Sequence, residues 1–454
     1  MPTPVAAERS SGAASLNRTV LRAALSVSAA GVVVKLAATF KEIAVAGVYG
    51  RSDAMDAFLA AALIPSLLVN LISESMNQAL VPTLVRVREQ QGRERAQQLL
   101  SGSMLAMCIL LAAATAAMAL GAHLFFPLIA SHYPAAKLAL SIRLFYALLP
   151  VVLITGVATN CTAVLNTLER FALPALAPVV ISVAIIVGVL ALGGRLGIWA
   201  IVDATLAGSL LHACIVAGLM HAHGFRFSLW WHGFDEATRE VALQYGPVLL
   251  SGVVASGGLL VDQSMAAMLP AGSVSALVYA NRFVAVALTL MAGAISTAIV
   301  PYFSRLIAFR DWPACRLALR TWLRWTALAS VPLSLMLIAG AHGLVRIAFQ
   351  RGAFGPHDTA IVARVLAMYA LQIPFFVTSR VFYRFLIAMR RADLVLYCGI
   401  VNLGLDVVLN LVLMRCFGVA GIALATSLWT VATFVFLGLC ARRVLRTAEA
   451  SSAL

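Results

Sequence analysis

KLAATFKEIAVAGVYGRSDAMDAFLAAALIPSLLVNLISESMNQALVP, residues 35–82, reads as two membrane helices joined by a short turn. Apolar residues dominate the stretch, yet it carries Lys35, Lys41, Glu42, Asp56, Asn70, Glu74, Asn77 and Gln78. A charge at membrane depth costs about 3 kcal/mol or more, so such groups face a bundle interior or a wet cavity. At about 100° per residue, Asn70, Glu74 and Asn77 fall on one face of the second helix, with Asp56 within roughly 40° of it. On the first helix Lys35 and Glu42 share a face, two turns apart and too distant to bond directly. The polar stripe is expected to line a hydrophilic chamber.

Composition agrees with a membrane reading. Of 454 residues 62% are hydrophobic and 11% charged, with a mean hydropathy of +0.96. A soluble domain carries about twice that charged fraction. Repeated apolar runs long enough to span a bilayer make the fold class an all-α polytopic membrane protein, and the alternation of a barrel strand is absent. The net charge of +15 does not call for nucleic acid as a partner, because the cations lie mostly in short loops where positive-inside sorting places them. Lys35, Lys41 and Lys137 are the only lysines. The seven cysteines are scattered through apolar runs without a CxxC or metal spacing, and read as buried thiols. His221, His223 and His232 lack a carboxylate or cysteine partner at ligand spacing, so no metal is expected. The first twenty residues lack the ordered parts of a cleaved signal peptide, so the first span is expected to serve as an uncleaved one.

Twelve spans are expected, at about 22–49, 54–83, 99–130, 140–166, 171–193, 197–221, 241–269, 274–304, 321–347, 359–389, 394–415 and 418–440. Under that count Arg86, Arg88, Arg93 and Arg95 fall on the same side as Arg305, Arg310, Arg316 and Arg320. Arg390 and Arg391, then Arg442, Arg443 and Arg446, join them. That side is read as cytoplasmic, with both termini. An internal repeat recurs at offsets close to 220 residues. ALVPTLVR at 79–86 matches AIVPYFSR at 298–305, and YALLP at 146–150 resembles YALQIP at 369–374. It implies two six-helix halves around a central cavity, a transporter architecture. The expected organisation is a tail over 1–21, a first half over 22–221, a cytoplasmic linker over 222–240, a second half over 241–440 and a tail over 441–454. In the linker, Trp230 and Trp231 beside Arg226 suit the membrane interface.

The second half repeats the polar theme. Arg282, Thr289 and Ser296 are seven apart, and the repeat equates Thr289 with Asn70 and Ser296 with Asn77. Helix ten contributes Arg364, Arg380 and Arg384; helix eleven contributes Asn402, Asp406 and Asn410 at i, i+4, i+8. Pairing Asp406 with Arg380 or Arg384 would lower the cost of both charges. Cations facing a chamber favour an anionic substrate, so Lys35, Lys41 and Arg282, with Asn70 and Asn77, are the candidate substrate-binding residues. Glu42, Asp56, Glu74, Asp262, Asp406, Arg380 and Arg384 are candidates for gating or ion coupling. No catalytic triad or P-loop appears, so neither an enzyme nor ATP-driven transport is expected from this chain.

The same residues carry a family resemblance. EIAVAGVYGRSDAMDAFLAAALIPSLLVNLISESMNQALVPTL resembles the first helix pair of the MurJ/MviN lipid II flippases, and AGSVSALVYANRFVAVALTLMAGAISTAIVPYFSRL resembles their seventh-to-eighth helix region. The family sits in a superfamily of multidrug, oligosaccharidyl-lipid and polysaccharide exporters. The resemblance implies cavity cations, which Lys35, Lys41 and Arg282 match, with lysine for arginine at the first two. Asp56 and Glu42 match acidic positions. Asn70 stands where the family has an arginine, and Asn281 where it has an aspartate. The family has fourteen helices against about twelve here. The function implied is a flippase moving a polyprenyl-pyrophosphate-linked sugar, foremost lipid II, across the bacterial inner membrane, without a cofactor. A Na+ or H+ gradient or the membrane potential would supply direction. Alternatives are another lipid-linked polysaccharide unit, a cation-coupled drug antiporter, or a non-transporting scaffold. Oligomeric state is not legible in the sequence.

Overall fold

The computed structural model describes residues 29–129, 133–168 and 172–453. The start of the first span and the expected N-terminal tail lie outside the described residues. Helix α1 covers 29–49. The helices α2 (Asp53–Gln91) and α3 (Arg93–Ile129) follow, then α4 (Ala135–Thr167), α5 (Ala172–Leu196) and α6 (Trp199–Ala222). After the linker come α7 (Glu236–Ala267), α8 (Ser273–Ala308), α9 (Trp312–Phe349), α10 (Pro356–Ala388), α11 (Ala392–Phe417) and α12 (Val419–Ala453). Among the described residues there is no strand, and eleven helices, α2 to α12, are long and apolar enough to cross a membrane. The expected C-terminal tail is helical as far as Ala453, a continuation of α12.

Several helices far exceed the roughly 20 residues a bilayer requires. At 38 residues, α9 is about 57 Å long. The connections are short, so successive helices alternate in direction. All odd-to-even turns lie at one end, here the turn end; the linker and the even-to-odd turns lie at the other, the linker end.

Three apolar cores hold the bundle. One is built from α2, α3, α4 and α6 at the linker end, and takes Ala237 and Val241 from the first turns of α7. A second lies at the turn end of the same helices and centres on Phe58, Phe126 and Phe145. The third, the largest, runs from Met265 at the end of α7 through α8–α12 and accepts Ala46 from α1. Helix α7 therefore belongs to both sides: its beginning packs with the first group and its end with the second.

Helix α2 is not uniform. Ser52 caps it, its hydroxyl accepting the Met55 amide at 3.3 Å, and Pro65 lies inside it. Just past the proline the chain widens into a π-turn over Val69–Glu74. Such a turn adds one residue to the helical ring and rotates everything after it. The Tyr245 hydroxyl of α7 donates to the Ile72 carbonyl there at 3.5 Å.

The linker runs without regular secondary structure from Phe225 to Asp235. It is sewn to α3. The Gln97 amide exchanges two hydrogen bonds with the Arg226 backbone, at 2.7 and 2.9 Å, and the Ser101 hydroxyl exchanges two with that of Trp230, both at 2.9 Å.

Candidate functional site

The turn end is closed by bonds between the two groups of helices. Asp56, 1% exposed, projects from the first turn of α2 towards the start of α8. Its carboxylate accepts the backbone N–H of Gly272 at 2.7 Å and of Ser275 at 3.0 Å. The first N–H groups of a helix have no partner within it, and a carboxylate there meets the positive end of the helix dipole. An aspartate on one helix thus caps another. Lys137 of α4 completes the group at 3.3 Å from Asp56 and 2.7 Å from Asp53, its ammonium lying over the Tyr133 ring. Around this centre Arg51 donates to the Gly272 carbonyl at 2.9 Å and pairs with Asp358 at 3.1 Å. The Tyr279 hydroxyl donates to the Gly50 carbonyl at 3.0 Å, and the Ala353 amide to that of Gly47 at 2.9 Å. Gly272 takes a left-handed φ of 81°, and a Cβ there would sit 2.7 Å from the Arg51 carbonyl oxygen. The approach of the two loops needs the glycine.

Below the closure lies the cation group. Glu42, 2% exposed, accepts from Arg282 at 2.8 and 3.1 Å and pairs with Lys41 at 2.9 Å. The Lys35 ammonium lies within Coulombic range of Arg282. The structure joins Lys41 and Arg282 through a single buried carboxylate, leaving one net positive charge there, and the Lys35 ammonium adds a second beside Arg282. Lys41 and Glu42 are joined to α8 through Arg282 rather than anchored separately at a membrane surface.

The stripe expected on α2 is split. The helical wheel assumed a regular α-helix through 70–77, and the π-turn breaks it. Asn70, Glu74 and Gln78 are the exposed set, and Asn77 is half-buried. Asn70 lines a cleft of about 360 Å³ against α4 and α6. Asn77 and Gln78 line one of about 670 Å³ against α4 and α5. Asp56 does not join this face: it is buried in the closure.

A further cleft, about 390 Å³, opens between α7, α11 and α12 and is lined by Asp262, Asn402 and Asp406. Asn410 donates to Asp262 at 2.8 Å and to Asp406 at 3.0 Å, and Thr426 donates to Asp262 at 3.2 Å. Two buried oxygens, Asp406 Oδ2 and Asn410 Oδ1, have no hydrogen-bond partner among the described residues. The expected pairing of Asp406 with Arg380 or Arg384 is not made. Arg380 lies over the Phe376 ring, 4.5 Å from its centroid, and both arginines flank Tyr383. Helix α10 is interrupted at Leu371 between two helical pieces, Pro356–Ala370 and Gln372–Ala388, and its arginines face their own aromatic neighbours instead of α11.

Sequence reading missed Lys137, Gly272, Ser275, Tyr279 and Asp358 as parts of the closure. Lys137 had a visible signal, being one of three lysines. The backbone donors of Gly272 and Ser275 had none.

A family model described as "Lipid II flippase MurJ" matches residues 45–453. The chain belongs to the MurJ lipid II flippase family. A probable lipid II flippase MurJ of Synechocystis is 25% identical over 435 residues, covering 90% of this chain and 80% of the relative. Among solved structures, a MurJ lipid II flippase in an inward closed conformation superposes with a TM-score of 0.78. It is 21% identical, and the match covers 94% of this chain and 90% of that one. An inward-facing multidrug transporter of the MATE family and MOP superfamily also gives 0.78 at 12% identity, over 94% and 99%. The helical architecture is thus that of MurJ proteins and of MATE-like transporters. The MurJ match takes in Asp56, Arg282, Asp262 and Asp406, and begins after α1 has contributed Lys35, Lys41 and Glu42.

Proposed function

We propose that this chain is a flippase carrying a polyprenyl-pyrophosphate-linked sugar, foremost lipid II, across the bacterial inner membrane by alternating access. The observation that carries the reading is the group formed by Lys35, Lys41, Arg282 and Glu42: a net positive centre where α1 meets α8, directly beneath a closed end. A pyrophosphate offers several acceptor oxygens to such a centre, and charge-assisted hydrogen bonds there are strong. The arginine-rich linker end is the cytoplasmic side, with both termini there, and the turn end faces outward. The headgroup enters from the cytoplasm while its lipid tail stays in the bilayer. Residues 22–221 and 241–440 rock as two halves, the Asp56 closure opens, and the headgroup leaves outside.

A coupling cation has a place in the same scheme. The Asp262 and Asp406 carboxylates, the Asn410 Oδ1 and the Thr426 hydroxyl offer oxygen ligands, which suits a hard cation such as Na+. The partnerless oxygens of Asp406 and Asn410 fit one. When bound there, the ion would offset one of the two neighbouring carboxylate charges and tie α7 to α11 and α12. Moving one charge through 100 mV yields about 2.3 kcal/mol, which gives transport its direction.

The test is complementation of a bacterium depleted of its lipid II flippase, with lipid II counted at the outer leaflet. The wild-type chain restores it; Lys35→Ala, Lys41→Ala and Arg282→Ala reach the membrane but do not. Normal flux in all three variants would overturn the cation-centre model, and failure of the wild-type chain would redirect the substrate to another polyprenyl-linked glycan.

A further inference from the structure

Four arginines that the transport scheme leaves unused converge on the outer side of the second helix group. Arg316 and Arg320 lie one turn apart near the start of α9. Arg442 and Arg446 lie one turn apart near the end of α12. All four line a single cleft of about 370 Å³ at the linker end, with Leu319 and Phe382 among its apolar walls. Arg316 is paired with Glu449. Arg320, Arg442 and Arg446 have no ion-pair partner among the described residues, so the cleft holds three net positive charges.

Leu323 also lines a second cavity, about 530 Å³, that follows α9 between α10 and α12 as far as Ile338. Its walls are mostly apolar, among them Ala327, Leu335, Leu371, Phe375 and Phe434, with Arg324 beside Leu323 as its one charged residue. The two hydroxyls there are already spent: Ser334 donates to the Ala370 carbonyl and Thr378 to that of Pro374. From Leu323 to Ile338 the groove is about 22 Å long, longer than one leaflet of a hydrocarbon core about 30 Å thick. No residue of α1–α6 lines either part, so both lie apart from the Lys35, Lys41 and Arg282 centre.

We propose that cleft and groove together bind one anionic phospholipid, its phosphate among the arginines and an acyl chain along α9. The charge selects the head. Guanidinium forks match phosphate oxygens in pairs. The apolar groove selects against a free anion, which would leave it bare to the bilayer. The bound lipid would bridge α9 to α12 and brace the second helix group as one body.

The experiment uses the delipidated full chain in detergent, with bound lipid measured by native mass spectrometry. The probes are phosphatidylglycerol, phosphatidylcholine of the same acyl composition, and inorganic pyrophosphate. Phosphatidylglycerol is expected to bind at least tenfold more tightly than phosphatidylcholine. Each arginine near a charged membrane surface is worth about a fivefold change in affinity, so Arg320→Ala, Arg442→Ala and Arg446→Ala combined should weaken binding about a hundredfold. Arg446→Ala alone, about fivefold weaker, serves if the triple variant does not fold. Ala327→Trp fills the groove and keeps every arginine; it should lose phosphatidylglycerol while pyrophosphate binds unchanged. Equal binding of both lipids, or an unaffected arginine variant, would overturn the proposal. Pyrophosphate binding as tightly as phosphatidylglycerol, and weakened by the same arginine substitutions, would assign the cleft to a soluble anion and overturn the lipid reading.

Discussion

Replacing Asp56 by alanine should unlatch the turn end. The carboxylate accepts two backbone N–H groups of the α7–α8 junction and touches Lys137. Lys137 keeps Asp53 as a partner at 2.7 Å, so the damage falls on the Gly272 and Ser275 amides, buried and suddenly without an acceptor. Hydrogen bonds to a charged group contribute about 1.5–3 kcal/mol each, and removing one member of a buried charged group costs about 3–5 kcal/mol. Taking the lower figure, about 3 kcal/mol, the closed-to-open ratio at this end falls roughly 150-fold. A protein closed 99% of the time would then be closed only about 40% of the time. Spin labels at Arg195 and His357 in a cysteine-free background report the separation of the two helix groups at that end by pulsed electron resonance. The wild type should show one short distance; Asp56→Ala should add a longer one as the larger population; Asp56→Asn, which keeps one acceptor oxygen, should fall between. Identical distance distributions in wild type and Asp56→Ala would refute the latch.

Other consequences are open to measurement. Gly50 has φ of +57° and a Cβ there would lie 2.6 Å from the Ala353 carbonyl oxygen, so Gly50→Ala should open the same labelled distance and lower thermal stability by about 1–3 kcal/mol. If the α7–α11–α12 cleft takes Na+, saturating sodium at a hundred times Kd should stabilise the protein by about 2.7 kcal/mol in a thermal melt, and Asp262→Asn or Asp406→Asn should abolish that increment. Glu42→Ala leaves Lys41 and Arg282 without their carboxylate; combined with Arg282→Ala, the double mutant should be more stable than the sum of the single losses by about 1–3 kcal/mol in a thermal double-mutant cycle. Asp235 accepts the Thr238 amide at 2.8 Å as the cap of α7, so Asp235→Ala should cost about 1 kcal/mol. Burial raises the Asp235 carboxyl, but the Thr238 hydrogen bonds and the nearby Arg95 outweigh it and hold it below the ordinary value. The stabilisation is therefore full above the ordinary aspartate range and is lost as pH falls through the lowered value, where the mutant and wild-type melts should converge.

The helices themselves were legible because a bilayer imposes the same demand on every span: some twenty apolar residues, then charge. Each helix from α2 to α12 overlaps an expected span. What the sequence hid was register and depth. The wheel for α2 assumed an unbroken α-helix, and the π-turn at Val69–Glu74 rotated Asn77 away from Asn70. Asp406 and Arg384 looked like natural partners, yet a wheel carries no information about which neighbour a face meets, and Asn410, which also donates to Asp262, took Arg384's place. The Lys35, Lys41 and Arg282 group was visible because lysines at membrane depth need a reason. The latch was not, since its key donors are main-chain amides of Gly272 and Ser275, and any residue but proline supplies those. Arg316, Arg320, Arg442 and Arg446 were seen only as topology signals. Their convergence required α9 and α12 to be neighbours, and nothing in the order of the spans says so.

The π-turn has a counterpart in the repeat. Thirty residues separate the cap Ser52 from Pro82 of the ALVP motif; twenty-nine separate the cap Gly272 from Pro301 of its AIVP match. The first interval is one residue longer than the second, and one residue is what a π-turn absorbs. The widened ring takes up the extra residue that α2 carries between its cap and the ALVP proline. Deleting a single residue between Ser66 and Ser73 should restore an ordinary α-helical ladder and turn Asn77 back towards the face of Asn70.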